Sequence, residues 1–277
     1  MEAHVGTNGL DVAACEVKGE VLDADVCQRL RELGCFQYQL SLDGLEAFHD
    51  HLRKPGSYRA TLATLEPLRN AGIKTQLMAT ASRQNLNDIL ACMDIAADHG
   101  VSSFAFARYC ATSPAKAREL YPTPSEYRAF LRAYWDKKQA YERAGCKTTF
   151  RTKDHLFTLL RWELGDFEVP EWSKRHPEMV CGGCHLGAKA TICANGDLLA
   201  CRRMPSLVGN INSNTLWDVE EGEAMMRYSR MDAIATCKDC ELLNWCRGCR
   251  AVGVNATGDL QAADPMRWKA NGPESAR

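Results

Sequence analysis

Cysteines are the feature that most restricts how this chain can fold. Of the fourteen cysteines in 277 residues, eight lie beyond residue 180, and four of those crowd into CKDCELLNWCRGC, residues 237–249. In a reducing compartment such crowding favours metal binding or redox chemistry over a disulfide framework. Closely spaced C-x2-C turns also aim several thiolates at one point. We therefore predict that the last third of the chain folds around a metal site.

The other six cysteines are dispersed singly along residues 1–150. Free cysteine is among the most buried residue types and behaves as a small apolar side chain, so we predict a packing role for each. These residues are Cys15, Cys27, Cys35, Cys92, Cys110 and Cys146.

The composition is that of an ordinary globular protein. It is 45% hydrophobic and 25% charged with a formal net charge of -1, so no basic surface indicates nucleic acid as a partner. The chain has no run of about eighteen apolar residues, and we predict no membrane partner. Its start, MEAHVGTNGLDV, has neither the basic flank nor the apolar stretch of a signal peptide. We therefore expect a cytoplasmic protein.

Short β-rich segments alternate with helical segments in the first half of the chain. The predicted strands are 4–8, 36–42, 73–80 and 101–107, and the predicted helices are 23–33, 58–70 and 85–98. Gly34, Gly72 and Gly100 follow these helices, where a left-handed C-cap is favoured. Repeated βα units predict an α/β fold with a parallel sheet, open or curled into part of a barrel. Its functional loops are expected at the carboxyl ends of the strands.

A long helix is predicted next, from Pro124 or Ser125 to Gly145, followed by a strand and a helix within 147–164. The segment GDFEVPEWSKRHPEM then interrupts the periodicity with glycine, two prolines and mixed charge. We predict a domain boundary there.

Beyond this boundary, ATICANGDLLAC predicts a β-hairpin. Its two apolar arms flank Asn195 and Gly196, a strong turn signal in which both central residues adopt positive φ. The hairpin is expected to carry Cys201 back toward Cys184.

The cysteine spacing resembles the SPASM domain, the auxiliary iron–sulfur extension of radical S-adenosylmethionine (SAM) enzymes. The family pattern is C-x9-15-G-x4-C, then C-x2-C-x5-C-x3-C and a last cysteine. Cys184, Gly196 and Cys201 match its first part, and the run at 237–249 matches the second with its last step one residue shorter.

The first half is similar to the same family at TNG (7–9), SLDG (41–44) and HDHLRKPGSY (49–58). The resemblance therefore covers almost the whole chain. It implies a partial radical SAM (β/α) barrel lacking its first strands over 1–165, a linker over 166–180, and a small α+β SPASM domain over 181–277.

The resemblance also implies a SAM site after the second predicted strand. Ser41 and Asp43 would lie near the ribose or methionyl group of SAM, and Arg53 would pair with the SAM carboxylate. A guanidinium suits that task because its planar fork matches a carboxylate. The alternative for Ser41 and Asp43 is a helix cap and a turn after a strand.

One or two auxiliary [4Fe–4S] clusters are implied as further cofactors. The first would use Cys184, Cys201 and Cys249, with Cys181 or Cys193 as fourth ligand, Cys181 being favoured. The second would use Cys237, Cys240 and Cys246. In similar proteins a cysteine often stands where this chain has Arg267, and a guanidinium cannot donate a lone pair to iron. Asp264 or an exogenous ligand would complete this cluster, or the cluster is lost or labile.

The family's catalytic cluster motif, C-x3-C-x2-C, does not occur in this sequence. We interpret the chain as an N-terminally truncated member, and as written it is expected not to cleave SAM by the family mechanism. The resemblance otherwise implies a peptide or protein maturase that forms a 5′-deoxyadenosyl radical. Its partners would be a peptide or protein substrate and an electron donor such as flavodoxin or ferredoxin. Arg202 and Arg203 suit an acidic peptide, or are two solvated arginines closing a hairpin.

Two other classes of protein remain open. The C-terminal cysteines also suit a structural zinc site, because paired C-x2-C turns bind tetrahedral Zn²⁺. Alternatively, the chain is a non-catalytic binding or electron-transfer protein that keeps its clusters without cleaving SAM.

Overall fold

The computed structural model describes residues 13–16, 21–176, 179, 181–182, 186, 190–229, 234 and 236–269. The chain divides into two compact units. The first, the sheet unit, comprises Met1–Arg108 and Arg132–Lys153, and the second, the cysteine unit, comprises Tyr109–Leu131 and Asp154–Arg277. This division does not test the predicted order of barrel, linker and SPASM domain, which stays a prediction.

Eight strands are present in the described residues. They are β1 Ala13–Glu16, β2 Cys35–Ser41, β3 Lys74–Ala81, β4 Ser103–Arg108, β5 Thr149–Phe150, β6 Thr191–Ile192, β7 Asp197–Leu199 and β8 Leu207–Asn210. Strands β1 to β5 form one parallel sheet in chain order, and β6, β7 and β8 form an antiparallel sheet. The α/β fold with a parallel sheet is confirmed.

Eleven helices are present in the same ranges. They are α1 Ala24–Glu32, α2 Glu46–Leu52, α3 Ser57–Asn70, α4 Leu86–Asp98, α5 Pro114–Leu120, α6 Pro124–Arg143, α7 Leu156–Glu163, α8 Glu171–Lys174, α9 Leu216–Glu220, α10 Glu223–Ser229 and α11 Arg250–Thr257. None of the helices in the described ranges combines the length and apolar character needed to cross a bilayer.

Gly34, Gly72 and Gly100 end α1, α3 and α4 with φ of +88°, +73° and +63°, as predicted. A residue in the left-handed conformation stops a helix and turns the chain toward the next strand, and glycine adopts it without steric cost. These three caps therefore set the spacing of the βα repeat.

The two faces of the parallel sheet differ in polarity. On one face Tyr38, Leu77 and Phe104 are fully buried. On the other face Gln37 Nε2 donates to Gln76 Oε1 at 2.9 Å, and Gln76 Nε2 donates to Gln39 Oε1 at 3.1 Å. Side chains alternate between the faces of a strand, so one face forms the core of the sheet unit and the other presents a row of amides.

The hairpin β6–β7 is present, but its turn differs from the prediction. Gly196 has φ of +87°, whereas Asn195 is not among the described residues with positive φ. The backbone N–H of Cys193 donates to the Asp197 carbonyl at 2.8 Å, and that of Gly196 donates to the Cys193 carbonyl at 2.9 Å. This is a three-residue loop with one left-handed glycine rather than a two-residue turn with two such residues.

The strand predicted at 4–8 lies outside the described residues, and β1 was not predicted. Of the dispersed cysteines, Cys27, Cys35 and Cys92 are buried, as expected of packing residues. Cys110 and Cys146 are half-buried, and the side chain of Cys15 lies outside the described set.

Candidate functional site

Asp43 organises the carboxyl end of β2. Its side chain is fully buried, Oδ2 accepts a hydrogen bond from Arg53 Nε at 2.6 Å, and Oδ1 accepts one from the Thr80 backbone N–H at 2.8 Å. The Asp43 carbonyl accepts from Asn85 Nδ2 at 2.6 Å. A buried carboxylate is stable only with such partners, and these contacts join the ends of β2 and β3.

His49 lies beside this carboxylate and is 1% exposed. Its Nδ1 accepts a hydrogen bond from the Asp43 backbone N–H at 3.1 Å, so the proton of the neutral ring is on Nε2. Burial lowers the pKa of His49, a shift that the Asp43 charge opposes and the Arg53 charge reinforces. The imidazole is therefore neutral in the folded protein near pH 7.

The loop that carries Arg53 is fixed by Asp50. Its two carboxylate oxygens accept the backbone N–H groups of Gly56 at 2.6 Å and Tyr58 at 2.8 Å. Gly56 has φ of +81°, which permits the sharp entry into α3.

The structure thus brings two of the three predicted SAM residues into direct contact, since Arg53 binds Asp43. Ser41 is the last residue of β2 and is half-buried. The Arg53 side chain is 27% exposed, and its guanidinium makes no further hydrogen bond in the part of the chain that the structure describes. Its remaining nitrogen atoms are therefore available to a carboxylate, and the SAM-binding role stays a prediction.

In the cysteine unit, a succession of tight turns brings three cysteines together. The Cys237 N–H donates to the Ile234 carbonyl at 2.8 Å, the Cys240 N–H to the Cys237 carbonyl at 3.0 Å, and the Cys246 N–H to the Leu242 carbonyl at 2.8 Å. Such turns direct nearby side chains to one side of the chain.

These three cysteines line one cavity that is partly open to solvent. Leucines form its apolar part, and cationic side chains lie at its edge: Leu159, Leu242 and Leu243, and Arg247, Arg267 and Lys269. Burial raises the pKa of the Cys246 thiol to about 12, and the negative charges of Asp264 and the other cysteines act in the same direction. Metal binding here would have to displace thiol protons.

Asp264 lines the same cavity, and both of its carboxylate oxygens accept hydrogen bonds from backbone N–H groups. Oδ2 accepts a hydrogen bond from the Cys249 N–H at 2.8 Å, and Oδ1 accepts one from the Met266 N–H at 3.0 Å. Gly248 has φ of +60°, and a Cβ there would lie 2.7 Å from the Asp264 Cβ. The Asp264 side chain therefore fixes the turn between Cys246 and Cys249, and the way in which the second cluster is completed stays a prediction with its three alternatives.

The cysteines expected at the first cluster are only partly described. Cys201 and Cys249 are half-buried and pack against the same hydrophobic core. Burial raises the pKa of the Cys201 thiol, and the charge of Cys249 acts in the same direction. Cys184 lies outside the described residues. The Cys181 N–H donates to the Asn244 carbonyl, and Cys193 begins the hairpin loop.

The donor set of the cavity fits an iron–sulfur cluster. Three thiols surround one space, and cationic side chains border it, as an anionic cluster with thiolate ligands would require. Within the described ranges, no three Cys, His, Asp or Glu side chains converge closely enough to hold a single metal ion. The sequence did not single out Arg247 or Lys269, because single basic residues carry no spacing signal.

Known proteins resemble this chain in sequence and in fold. No protein-family model matches the chain. The chain is 27% identical over 270 residues to the AdoMet-dependent heme synthase of Methanosarcina barkeri, covering 95% of this chain and 76% of the relative. It is 22% identical over 258 residues to the protein of the same name from Oleidesulfovibrio alaskensis, covering 90% and 65%.

Two solved structures share the fold. The structure of anSMEcpe with bound AdoMet matches with a TM-score of 0.65 at 14% identity, covering 91% of this chain and 69% of that chain. Streptococcus suis SuiB bound to S-adenosylmethionine matches with a TM-score of 0.64 at 18% identity, covering 90% and 57%.

The chain is similar in sequence to AdoMet-dependent heme synthases and shares its fold with the AdoMet-bound structures of anSMEcpe and SuiB. This confirms the resemblance, the fold class and the enzyme class predicted from the sequence. Both relatives described above are named AdoMet-dependent heme synthase.

Proposed function

We propose that this chain forms part of a SAM-dependent enzyme that acts on an iron porphyrin. The observation that carries the proposal is the 27% identity to the M. barkeri heme synthase, which extends over 95% of the chain. A second M. barkeri relative, 30% identical over 95 residues, is named Fe-coproporphyrin III synthase. Heme is an iron porphyrin with carboxylate side chains, so both names point to the same chemical class of ligand.

Residues of this chain have distinct roles in the proposal. Arg53, positioned by Asp43, binds the carboxylate of SAM, and Ser41 contacts its ribose or methionyl group. Cys237, Cys240 and Cys246 hold an auxiliary [4Fe–4S] cluster, which supplies one-electron transfer when bound. Cys201 and Cys249, with Cys184 and Cys181, hold the first auxiliary cluster in the same scheme.

The catalytic cluster of the family does not fit this sequence, because no C-x3-C-x2-C triplet is present to bind it. The residues that the chain does contain serve SAM binding, substrate binding and the auxiliary iron–sulfur site.

Modification of a peptide is the second candidate function. It is favoured by two structural neighbours that were solved with peptides, anSMEcpe with Kp18Cys and SuiB with its precursor peptide SuiA. Arg202 and Arg203 would then contact acidic residues of the peptide. In either case we propose a cytoplasmic protein that receives electrons from a flavodoxin or ferredoxin.

A spectroscopic titration separates the two functions. Fe-coproporphyrin III is added to the anaerobically reconstituted protein, and the Soret band is followed. We expect a saturable shift with one porphyrin per chain, and at least tenfold weaker binding of the tetramethyl ester, which lacks the carboxylates. Equal binding of the ester, or no saturable shift, would contradict the iron-porphyrin proposal and leave the peptide candidate.

A further inference from the structure

Asn244 holds the segment of chain that leads to Cys181. It is 6% exposed, and its Nδ2 donates to the carbonyls of Ser173 and His176, each at 2.8 Å. The Asn244 carbonyl accepts the Cys181 N–H at 2.9 Å. Both amide hydrogens of the side chain therefore have a partner, and one residue fixes three points of the segment over 173–181.

Two residues that follow this asparagine contact the same segment. Trp245 Nε1 donates to Ser173 Oγ at 3.1 Å, and Arg247 Nη2 donates to the Met179 carbonyl at 3.3 Å. A Cβ at Gly182 would lie 3.1 Å from the Trp245 carbonyl oxygen, so the chain also passes close to this backbone at the end of the segment. Hydrogen bonds from one short loop therefore fix the segment, and all of them lie within the cysteine unit.

The position of Asn244 in the chain links the two predicted clusters. Asn244 lies between Cys240 and Cys246, two of the three cysteines that line the cavity assigned to the second cluster. Cys181 is the favoured fourth ligand of the first cluster. A loop whose two ends bind one cluster has less conformational freedom than an unbound loop, so the Asn244 side chain is ordered with it.

We propose that Asn244 positions Cys181 as a ligand of the first cluster and so couples the binding of the two clusters. A cluster in the cavity orders the loop that carries Asn244. The hydrogen bonds of Asn244 then hold the Cys181 backbone in place, which reduces the conformational entropy lost when the Cys181 thiolate binds iron. Because such coupling is reciprocal, each cluster strengthens the binding of the other. Asn244 acts through Cys181 and is a positioning residue, and its role rests on the cluster assignments made under the proposed function.

The test is a double-mutant cycle on the release of the first cluster from the reconstituted full chain. An iron chelator is added without substrate, and the electron paramagnetic resonance signal that Cys201→Ser abolishes is followed with time. The variants are Asn244→Ala, Cys181→Ser and the two combined. Asn210→Ala is the matched control, because Asn210 is a half-buried asparagine of the same unit whose Nδ2 donates to Asp197 Oδ1 at 2.9 Å.

We expect Asn244→Ala to release the first cluster about tenfold faster than the wild type, because the variant leaves two buried carbonyls without their donor. Cys181→Ser should also release it faster, and the combined variant should be no faster than Cys181→Ser. Asn210→Ala should keep the wild-type rate. A wild-type rate in Asn244→Ala or in Cys181→Ser overturns the proposal, as does a combined variant in which the two effects multiply.

A second cycle measures the coupling itself, and it decides if Cys181→Ser takes up no first cluster. Cys237→Ser, which removes a thiol of the cavity, should release the first cluster about fivefold faster. In the Asn244→Ala background the same change should have no further effect. An unchanged rate after Cys237→Ser, or an equal acceleration with and without Asn244, overturns the proposal.

Asn244→Ser, which keeps one donor, replaces the Ala variant if that variant takes up no iron. A rate above that of the wild type then supports the proposal, and the wild-type rate overturns it. Failure of the cluster assignments is recognised separately, because the wild-type protein would then take up no iron. Failure of the iron-porphyrin proposal is recognised in the porphyrin titration, which does not depend on these variants.

Discussion

The buried carboxylates of the two units are held in different ways. In the sheet unit, both oxygens of Asp43 accept hydrogen bonds, one from the cationic Arg53 side chain and one from the Thr80 N–H. In the cysteine unit, both oxygens of Asp264 accept backbone N–H groups, and the side chain lines a cavity together with three thiols. The sheet unit therefore pairs its buried carboxylate with its own cation, whereas the cysteine unit directs thiols toward a space that a bound cluster would fill.

Removing one cavity cysteine is the strongest way to break this comparison. We expect Cys246→Ser to reduce the iron content of the reconstituted protein by about four atoms per chain, because a cluster losing one of three thiolates is not retained. Cys146→Ser, which changes a dispersed cysteine of the sheet unit, should keep the wild-type content. The measurement is a colorimetric iron assay, and equal iron in both variants would exclude a cluster at the cavity.

The Asp43–Arg53 pair gives the next largest effect. Asp43→Asn should lower the free energy of unfolding by about 3 kcal/mol, because it places an amide donor against the Arg53 donor and leaves a partly buried charge unpaired. Urea unfolding followed by circular dichroism measures it. The double variant Asp43→Asn, Arg53→Met should recover part of the loss.

Asp136→Asn is the control for this pair, because Asp136 forms an exposed pair with Arg132. Its expected effect is within about 0.5 kcal/mol. An equally small effect of Asp43→Asn would show that the stability of the sheet unit does not depend on the Asp43–Arg53 pair.

The Asp264→Asn variant tests whether Asp264 is a ligand of the cluster in the cysteine unit. The amide keeps one acceptor for the Cys249 or Met266 N–H and loses the other, so we expect a loss of about 1–2 kcal/mol with unchanged iron content. Mössbauer spectra of the cluster should also be unchanged. Loss of iron in a folded Asp264→Asn variant would instead identify Asp264 as a ligand.

His49 gives the smallest effect, in the sheet unit. Because burial lowers its pKa, the unfolded chain binds a proton before the folded one as the pH falls. The contribution of neutral His49 to the free energy of unfolding is complete above about pH 6.5. It is lost as the pH falls toward the lower pKa of the folded protein, at no more than about 1.4 kcal/mol per pH unit.

His49→Asn keeps an acceptor for the Asp43 N–H and removes the titration. Unfolding free energies at pH 7.5, 6.5 and 5.5 should therefore fall less steeply for this variant than for the wild type. Parallel curves would show that His49 is protonated equally in both states.

The sequence predicted those parts of the fold that have a periodic or positional signal. Strands β2 to β4 alternate with helices whose ends are marked by Gly34, Gly72 and Gly100, and the structure has them within about two residues of the predicted bounds. β1 was missed because AACE is short and lacks β-branched or aromatic residues. The hairpin was predicted, but its loop type depends on the backbone bonds of Cys193 and Gly196, which the dipeptide alone does not specify.

The sequence predicted the cysteines of the site but not the contacts of its charged side chains. The cysteines were predicted from their spacing in the sequence. The contact of Asp43 with Arg53 was not predicted, because it joins residues ten positions apart that only the fold brings together. The contact of the Cys249 N–H with Asp264 likewise joins residues fifteen positions apart, and no local pattern in the sequence predicts it.

Anaerobic reconstitution of the wild-type chain with iron and sulfide tests the central claim most directly. We expect a brown protein that absorbs near 400 nm and contains about four iron atoms for each cluster bound. A folded protein that stays colourless and free of iron, or takes up only zinc, would contradict the account.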